Sequence, residues 1–233
     1  MTLYDEILSR SIWAVESIGT CSTISTLAQL SIKEHGQKVW DDNVDQTIVE
    51  KQFLESAKAA TLKDSETLIP TWAFISIITT YEAWMSDILR LILREYPKKI
   101  RKEKVESSTI KDSSSYEECL ERLIDEELRD IFYKGPREAT KHLQLITSID
   151  IESIPGLADI FELKTLRDIL LHNKGVVNGE YLRRAGSKAR AKKGEKIRIN
   201  AGVLSSTQKS VGYFIAKATI MLKEKYKKTG KKL

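Results

Sequence analysis

The run Thr71–Tyr96, TWAFISIITTYEAWMSDILRLILREY, lies between Pro70 and Pro97. Wound at about 100° per residue, it is apolar around most of its circumference. A helix of that kind has no face to give to water, so the rest of the chain must wrap it. Proline fixes φ and lacks an amide hydrogen, so this helix is expected to open at Pro70 and to stop before Pro97.

The flanking segments carry helical patterns of their own. Leu3, Ile7, Leu8, Ile12, Val15 and Ile18 recur at helical spacing and predict a first helix over residues 3–35, although its second half, GTCSTISTLAQLS, is small and polar. A connection and a helix around Val44–Lys63 are expected before the central helix. After a charged linker over 97–114, Ser115-Tyr116-Glu117-Glu118 has the form of a capping box and predicts a helix to about Tyr133, ahead of Gly135-Pro136. A short helix around Arg137–Thr147, a turn through Asp150–Pro155 and a helix over 156–174 ending at Gly175 follow. The last helix is expected from about Ser205 to Lys227, with Val211, Phe214, Ile215, Ala218, Ile220, Met221 and Leu222 facing inward. Only Ile197–Asn200 (IRIN) is strand-like, so residues 183–202 read as a flexible basic loop or short hairpin. The expected fold is an all-α antiparallel bundle in one domain over 1–233. Its parts are N-terminal helices (1–66), a core (67–182), the basic loop (183–202), and the last helix with a basic tail (203–233).

Composition narrows the function. Hydrophobic residues make up 41% and charged residues 30% of the chain, the mix of a soluble globular protein. No apolar run reaches the length of a membrane span, and MTLYDEILSR lacks the pattern of a secretion signal. Cys21 and Cys119 are too few for a disulfide framework, and three histidines without neighbouring cysteines or paired acids predict no metal site. The expectation is a cytoplasmic protein with no membrane partner, no metal and no cofactor. The net charge of +5 hides a strong asymmetry: residues 183–233 hold sixteen Lys and Arg against two acids, or +14, leaving −9 for residues 1–182. That asymmetry points to a polyanion partner for the basic part, the plain alternative being a solubilising tail.

The helix over 156–174 holds the most distinctive chemistry, LRDILLHNKG. Around it, Ile160 lies at about 20°, Leu163 at about −40°, Leu170 at about −60° and Leu171 at about 40° from Arg167. The guanidinium is thus expected at the centre of an apolar stripe, where it needs an opposite charge or an anionic ligand. Asp168 and His172 are four apart and within reach of each other on the adjoining edge. Glu82 breaks the apolar surface of the central helix in the same way, among Ile75, Ile78, Met85 and Leu89. Glu82 and Arg167 are therefore expected to meet across the bundle. The plain alternative is a solvated charge row, Lys164, Asp168 and His172. Arg137 and His142 repeat the spacing in REATKH without apolar residues between, which reads as a surface helix.

Arg167-Asp168-Ile169-Leu170-Leu171-His172 resembles the hallmark of the HEPN domains: Arg, a polar residue, a mostly apolar gap, then His. The continuation Asn173-Lys174-Gly175-Val176-Val177 is similar to that of bacterial members, and the ITTYEAWMSDILR run resembles the family's helix with an acidic residue, here Glu82. The resemblance covers residues 70–225. It implies a helical bundle that forms a homodimer with two motifs facing one cleft. It also implies a metal-independent endoribonuclease of a toxin–antitoxin, abortive-infection or antiviral-defence system, with an antitoxin or sensor protein as partner. On that reading Arg167, Asp168 and His172 are catalytic, with Glu82 and Asn173 in support. His172 moves a proton, Arg167 stabilises phosphate charge and Asp168 orients His172. The loop cations Arg183, Arg184, Lys188, Arg190, Lys192, Lys193, Lys196 and Arg198 are then expected to track an RNA backbone. The competing readings are a non-catalytic HEPN-like protein- or RNA-binding module, and an effector subunit held off within a larger defence complex. A cationic tail lying on a membrane surface ranks lower, for want of a lipid anchor or a strongly amphipathic helix.

Overall fold

The computed structural model describes residues 2–43, 51–101, 113–134 and 136–227, with backbone only at 31–43, 51–66 and 136–137. Seven helices account for the fold of these residues: α1 (Leu3–Asn43), α2 (Lys51–Glu95), α3 (Tyr116–Tyr133), α4 (Pro136–Thr147), α5 (Leu157–His172), α6 (Gly179–Ala185) and α7 (Ala201–Tyr226). Among the described residues there is no strand, and the all-α expectation holds.

The central helix lies where its pattern requires. Phe74, Ile77, Ile78, Trp84, Ile88, Leu89, Ile92 and Leu93 of α2 are fully buried. Helix α1 packs along one side of it and α7 along another. Arg10 of α1 pairs with Asp87 and Ser11 meets Trp84, so rising numbers on α1 meet falling numbers on α2. The same reversal relates α1 to α7, where Lys223 covers Tyr4 and Thr219 reaches Ser11. One buried polar node joins the three helices. Trp84 Nε1 donates to Ser11 Oγ at 3.0 Å, and Thr219 Oγ1 lies 2.8 Å from the same oxygen. Burying an indole N–H without an acceptor costs a few kcal/mol, so Ser11 fixes the register of α1 on α2. On the far side, Arg90 and Arg94 both grip Glu121 of α3.

Several boundaries differ from the sequence reading. Pro70 does not open a helix; it lies within α2, which starts at Lys51. A proline inside a helix costs about 3 kcal/mol but removes only one amide donor. Here it is buried in the bundle, and Thr71 Oγ1 donates to the Thr67 carbonyl at 2.6 Å. The expected helix around Val44–Lys63 is thus partly the start of α2, while residues 44–50 lie outside the described residues, as do 102–112 of the linker and 228–233 of the tail. On α1, Leu3, Ile7 and Ile18 are buried as expected, but Ile12 and Val15 face solvent. The stripe turned inward includes Ser11, Ala14 and Ser25, small residues that let α1 approach closely and that hydropathy does not flag. On α7, Ile220 is likewise exposed and Met221 only partly covered.

The capping box at Ser115 forms: Glu118 N–H donates to Ser115 Oγ at 3.1 Å. Its carboxylate reaches back to Ser114, from which it accepts both the backbone N–H and the hydroxyl at 2.7 Å. Helix α5 stops at His172, two residues earlier than expected, because Lys174 and Gly175 both take positive φ. Residues 183–202 depart most from expectation. Asn178 caps α6 by accepting the Tyr181 N–H at 2.8 Å, so Arg183 and Arg184 are helical. The IRIN segment makes no strand. It closes on the chain after α5 through Val176–Lys196 pairing, with Val177 N–H donating to the Glu195 carbonyl and Ile197 N–H to that of Gly175. The hairpin expected within 183–202 is therefore a clasp between 175–177 and 194–197. Gly175 makes it possible: at φ 78°, a Cβ there would lie 2.8 Å from the Ile197 carbonyl oxygen.

Candidate active site

Helix α5 lies against α2, α6 and α7, and its buried arc is wider than its hydropathy suggests. Ile160, Leu163, Leu166 and Ile169 are buried, and so are Glu162 and Thr165. The arc centres on Leu166, while Leu171 is exposed. Arg167 therefore sits about 100° from that centre, at the border between core and surface, and not mid-stripe as its spacing predicts. Two buried polar residues shift the arc, and a hydrophobic pattern cannot register them.

The border position gives Arg167 a mostly buried side chain, 19% exposed, facing Glu82 at 21%. Arg167 Nη2 donates to Glu82 Oε1 at 2.6 Å and Oε2 at 2.5 Å, the meeting across the bundle that the two misplaced charges predicted. Lys164, one turn before Arg167 on α5, brings its Nζ to 3.2 Å from Glu82 Oε1 and 5.1 Å from the centre of the Phe132 ring. Glu82 thus holds two cations. Arg167 Nε lies 3.3 Å from Asp168 Oδ1, close enough for charge attraction but too poorly aimed for a hydrogen bond, so this buried N–H has no acceptor among the described residues. Asp168 turns to Arg167, and no hydrogen bond joins it to His172 among the described residues. The orienting contact expected between Asp168 and His172 is not made here.

Glu82, Lys164, Arg167, Asp168 and His172 line one open cleft of about 790 Å³. Helices α2 and α5 supply most of the lining, and Phe132, Tyr133 and Lys134 at the end of α3 and Arg184 of α6 complete it. The His172 ring is exposed there. Asn173 follows as the C-cap of α5, and its Nδ2 donates to the Val176 carbonyl at 2.6 Å, which shapes the turn into the clasp. Four cations and one histidine face two carboxylates in this cleft, so it favours an anionic ligand.

The second Arg–His copy is described only in part. The Arg137 side chain is outside the described residues, and His142 is half-buried beside Lys134, whose Nζ lies 3.1 Å from Nδ1. Burial, followed by the Lys134 charge, pushes the His142 imidazole below its ordinary value. Among the described residues no three His, Cys, Asp or Glu side chains come together as a metal-binding group, and no described helix is long and apolar enough to cross a membrane.

The eight loop cations divide into two sets. Arg183 and Arg184 both bind Glu180, and Lys188 meets Asp159 at 2.7 Å. Arg190 turns inward: its Nε and Nη2 grip Glu162, whose side chain is 2% exposed and which also accepts the Tyr181 hydroxyl at 2.7 Å. Arg190 is thus a structural strut, and it ties the basic segment to α5. Lys192, Lys193, Lys196 and Arg198 are exposed, with no ion pair among the described residues. Sequence reasoning missed Glu162, although a lone carboxylate among Ile160, Phe161 and Leu163 is a legible oddity. It also missed Phe132 and Tyr133, whose place at the cleft depends on tertiary packing.

Comparison with known proteins adds no relative: no protein-family model, no curated protein and no solved structure matches this chain.

Proposed function

We propose that this protein is an endoribonuclease of HEPN type, and that the cleft between α2, α3 and α5 is its active site. The observation that carries this reading is the joint placement of an exposed imidazole, His172, and an anchored guanidinium, Arg167, on one cationic cleft. The reaction needs few parts. The 2′-hydroxyl of a ribose attacks the adjacent phosphorus, its proton leaves, and the 5′-oxygen departs with a proton, giving a 2′,3′-cyclic phosphate and a 5′-hydroxyl. His172 transfers one of these protons, since an imidazole can both accept and donate a proton through its ring nitrogens. Arg167 stabilises the negative charge building on the phosphoryl oxygens, with hydrogen bonds that strengthen as the charge grows.

The ion-pair geometry supports this assignment. Glu82 fixes the guanidinium through Nη2, and a preorganised cation stabilises a transition state better than one that must be immobilised during reaction. Lys164, beside it, adds a second positive charge. A homodimer brings two such motifs together and gives the proton to the leaving group from a second His172. Exposed Lys192, Lys193, Lys196 and Arg198 guide the RNA backbone to the cleft. A toxin or antiviral-defence role, with an antitoxin or sensor holding the enzyme in check, fits this chemistry.

One observation favours a second reading. Arg167 Nη2 is saturated by Glu82, so the pair can serve as a structural anchor in a non-catalytic HEPN-like binding module. Incubating the full chain with RNA in EDTA separates the two. The nuclease reading expects cleavage that disappears in His172→Ala, and the binding-module reading expects none.

A further inference from the structure

Tyr133 is the most exposed large hydrophobic side chain among the described residues, at 82%. It stands at the lip of the cleft that holds Arg167 and His172, and it takes part in no ring stacking, cation–π contact or hydrogen bond among the described residues. The neighbouring Phe132, by contrast, is half-buried under Lys164 and belongs to the wall. An aromatic ring left to water beside a cationic cleft has a ready ligand: the face of a nucleobase, which stacks on it whatever its identity. Lys134 and Arg184 line the same cleft and add to its positive charge, although Arg184 is also paired with Glu180.

We propose that Tyr133 is a stacking platform for an unpaired base, so that the substrate class of this cleft is single-stranded RNA. This rests on the nuclease reading and sharpens it. Attack by a 2′-hydroxyl requires that oxygen, the phosphorus and the departing 5′-oxygen to fall in line, an arrangement that A-form stacking disfavours. Splaying one base out of the strand and holding it on Tyr133 turns the ribose–phosphate link toward the in-line geometry over Arg167 and His172. A duplex offers no free base face to the ring, and its deep, narrow major groove excludes side chains. Paired RNA is therefore a poor ligand at this rim.

The test uses the full chain carrying His172→Ala, so that RNA survives the measurement, with a fluorescently labelled oligouridylate of about ten nucleotides and a duplex of similar length as probes. Adding Tyr133→Ala weakens single-strand binding by about ten-fold or more, adding Tyr133→Phe changes it by less than about two-fold, and duplex binding is the same for all three proteins. Tyr133 is 82% exposed, so its truncation leaves the core intact, and a thermal melt of Tyr133→Ala that matches its parent verifies the fold. Equal single-strand affinity for the Ala variant and its parent overturns the stacking assignment while leaving the cleft as an RNA site. A loss as large with Phe as with Ala overturns it too, because the hydroxyl and not the ring then carries binding. Absence of RNA binding by every variant removes the nuclease reading itself, and the stacking assignment with it.

Discussion

Replacing Glu82 by Gln removes the carboxylate that holds two cations in the cleft, Arg167 Nη2 at 2.5–2.6 Å and Lys164 Nζ at 3.2 Å. Taking away one member of a buried ion pair costs about 3–5 kcal/mol, because the remaining charge is left in a poor solvent. Glu82 and Arg167 are each about one-fifth exposed, so water relieves part of that penalty. The expected loss is about 2–3 kcal/mol, or about 4–12 °C in Tm for a chain of this size. Arg167→Met is the informative partner: it keeps the aliphatic packing and leaves Glu82 still paired with Lys164. Its cost is therefore smaller, about 1–2 kcal/mol. Urea unfolding of the wild type, both single variants and the double variant gives the comparison, with a coupling of about 1–2 kcal/mol between the two positions. An Arg167→Met loss equal to or greater than that of Glu82→Gln, or a coupling near zero, refutes the claim that Glu82 organises both cations.

Gly175→Ala forces an L side chain into φ 78° with its Cβ 2.8 Å from the Ile197 carbonyl oxygen. It is expected to cost at least about 1–2 kcal/mol in chemical denaturation and to speed amide exchange at Val177 and Ile197, the clasp donors. Arg190→Ala strands buried Glu162 and lowers stability, whereas joint replacement of Lys192, Lys193, Lys196 and Arg198 by Ala leaves stability within about 0.5 kcal/mol. The joint variant instead flattens the salt dependence of RNA binding, by about 0.7 in log–log slope for each phosphate that is no longer neutralised. The His142 imidazole titrates below its ordinary 6.5, first because it is partly buried and then because Lys134 faces it. The folded state therefore binds its proton more weakly than the unfolded state, so its contribution to stability is present above about 6.5 and is lost as pH falls. Lys134→Met should move the His142 midpoint upward in a proton NMR titration, yet leave it below 6.5 because burial is the larger cause.

The parts of this fold that follow local rules were legible in the sequence. The end of the surrounded helix before Pro97, the cap at Ser115 and the end of α5 before Gly175 each depend on neighbouring residues, and each lies where its pattern places it within a few residues. The Glu82–Arg167 pair was legible for a different reason: two charges among Ile, Leu and Met each demanded a partner, and each was the obvious one for the other. Pro70 misled because proline's local preference yields to burial in a long helix. The short helix after Asn178 was hidden by the density of charge that follows it. The division of the basic segment into struts and free cations, and the aromatic rim of the cleft, depend on contacts between elements far apart in sequence. The centre of the α5 stripe was misplaced because Glu162 and Thr165 are buried through specific partners, which no hydropathy pattern encodes.

His172 and Arg167 are proposed to cleave RNA without a metal in the α2–α3–α5 cleft. The direct measurement is incubation of the purified full chain with RNA in EDTA, scored for fragments ending in a 2′,3′-cyclic phosphate. Such fragments from the wild type, together with their loss in His172→Ala and Arg167→Ala while Lys209→Ala at a surface position of α7 still produces them, is the expected result. Cleavage that survives His172→Ala, or that appears only when a divalent metal is restored, rules out metal-independent catalysis by this pair.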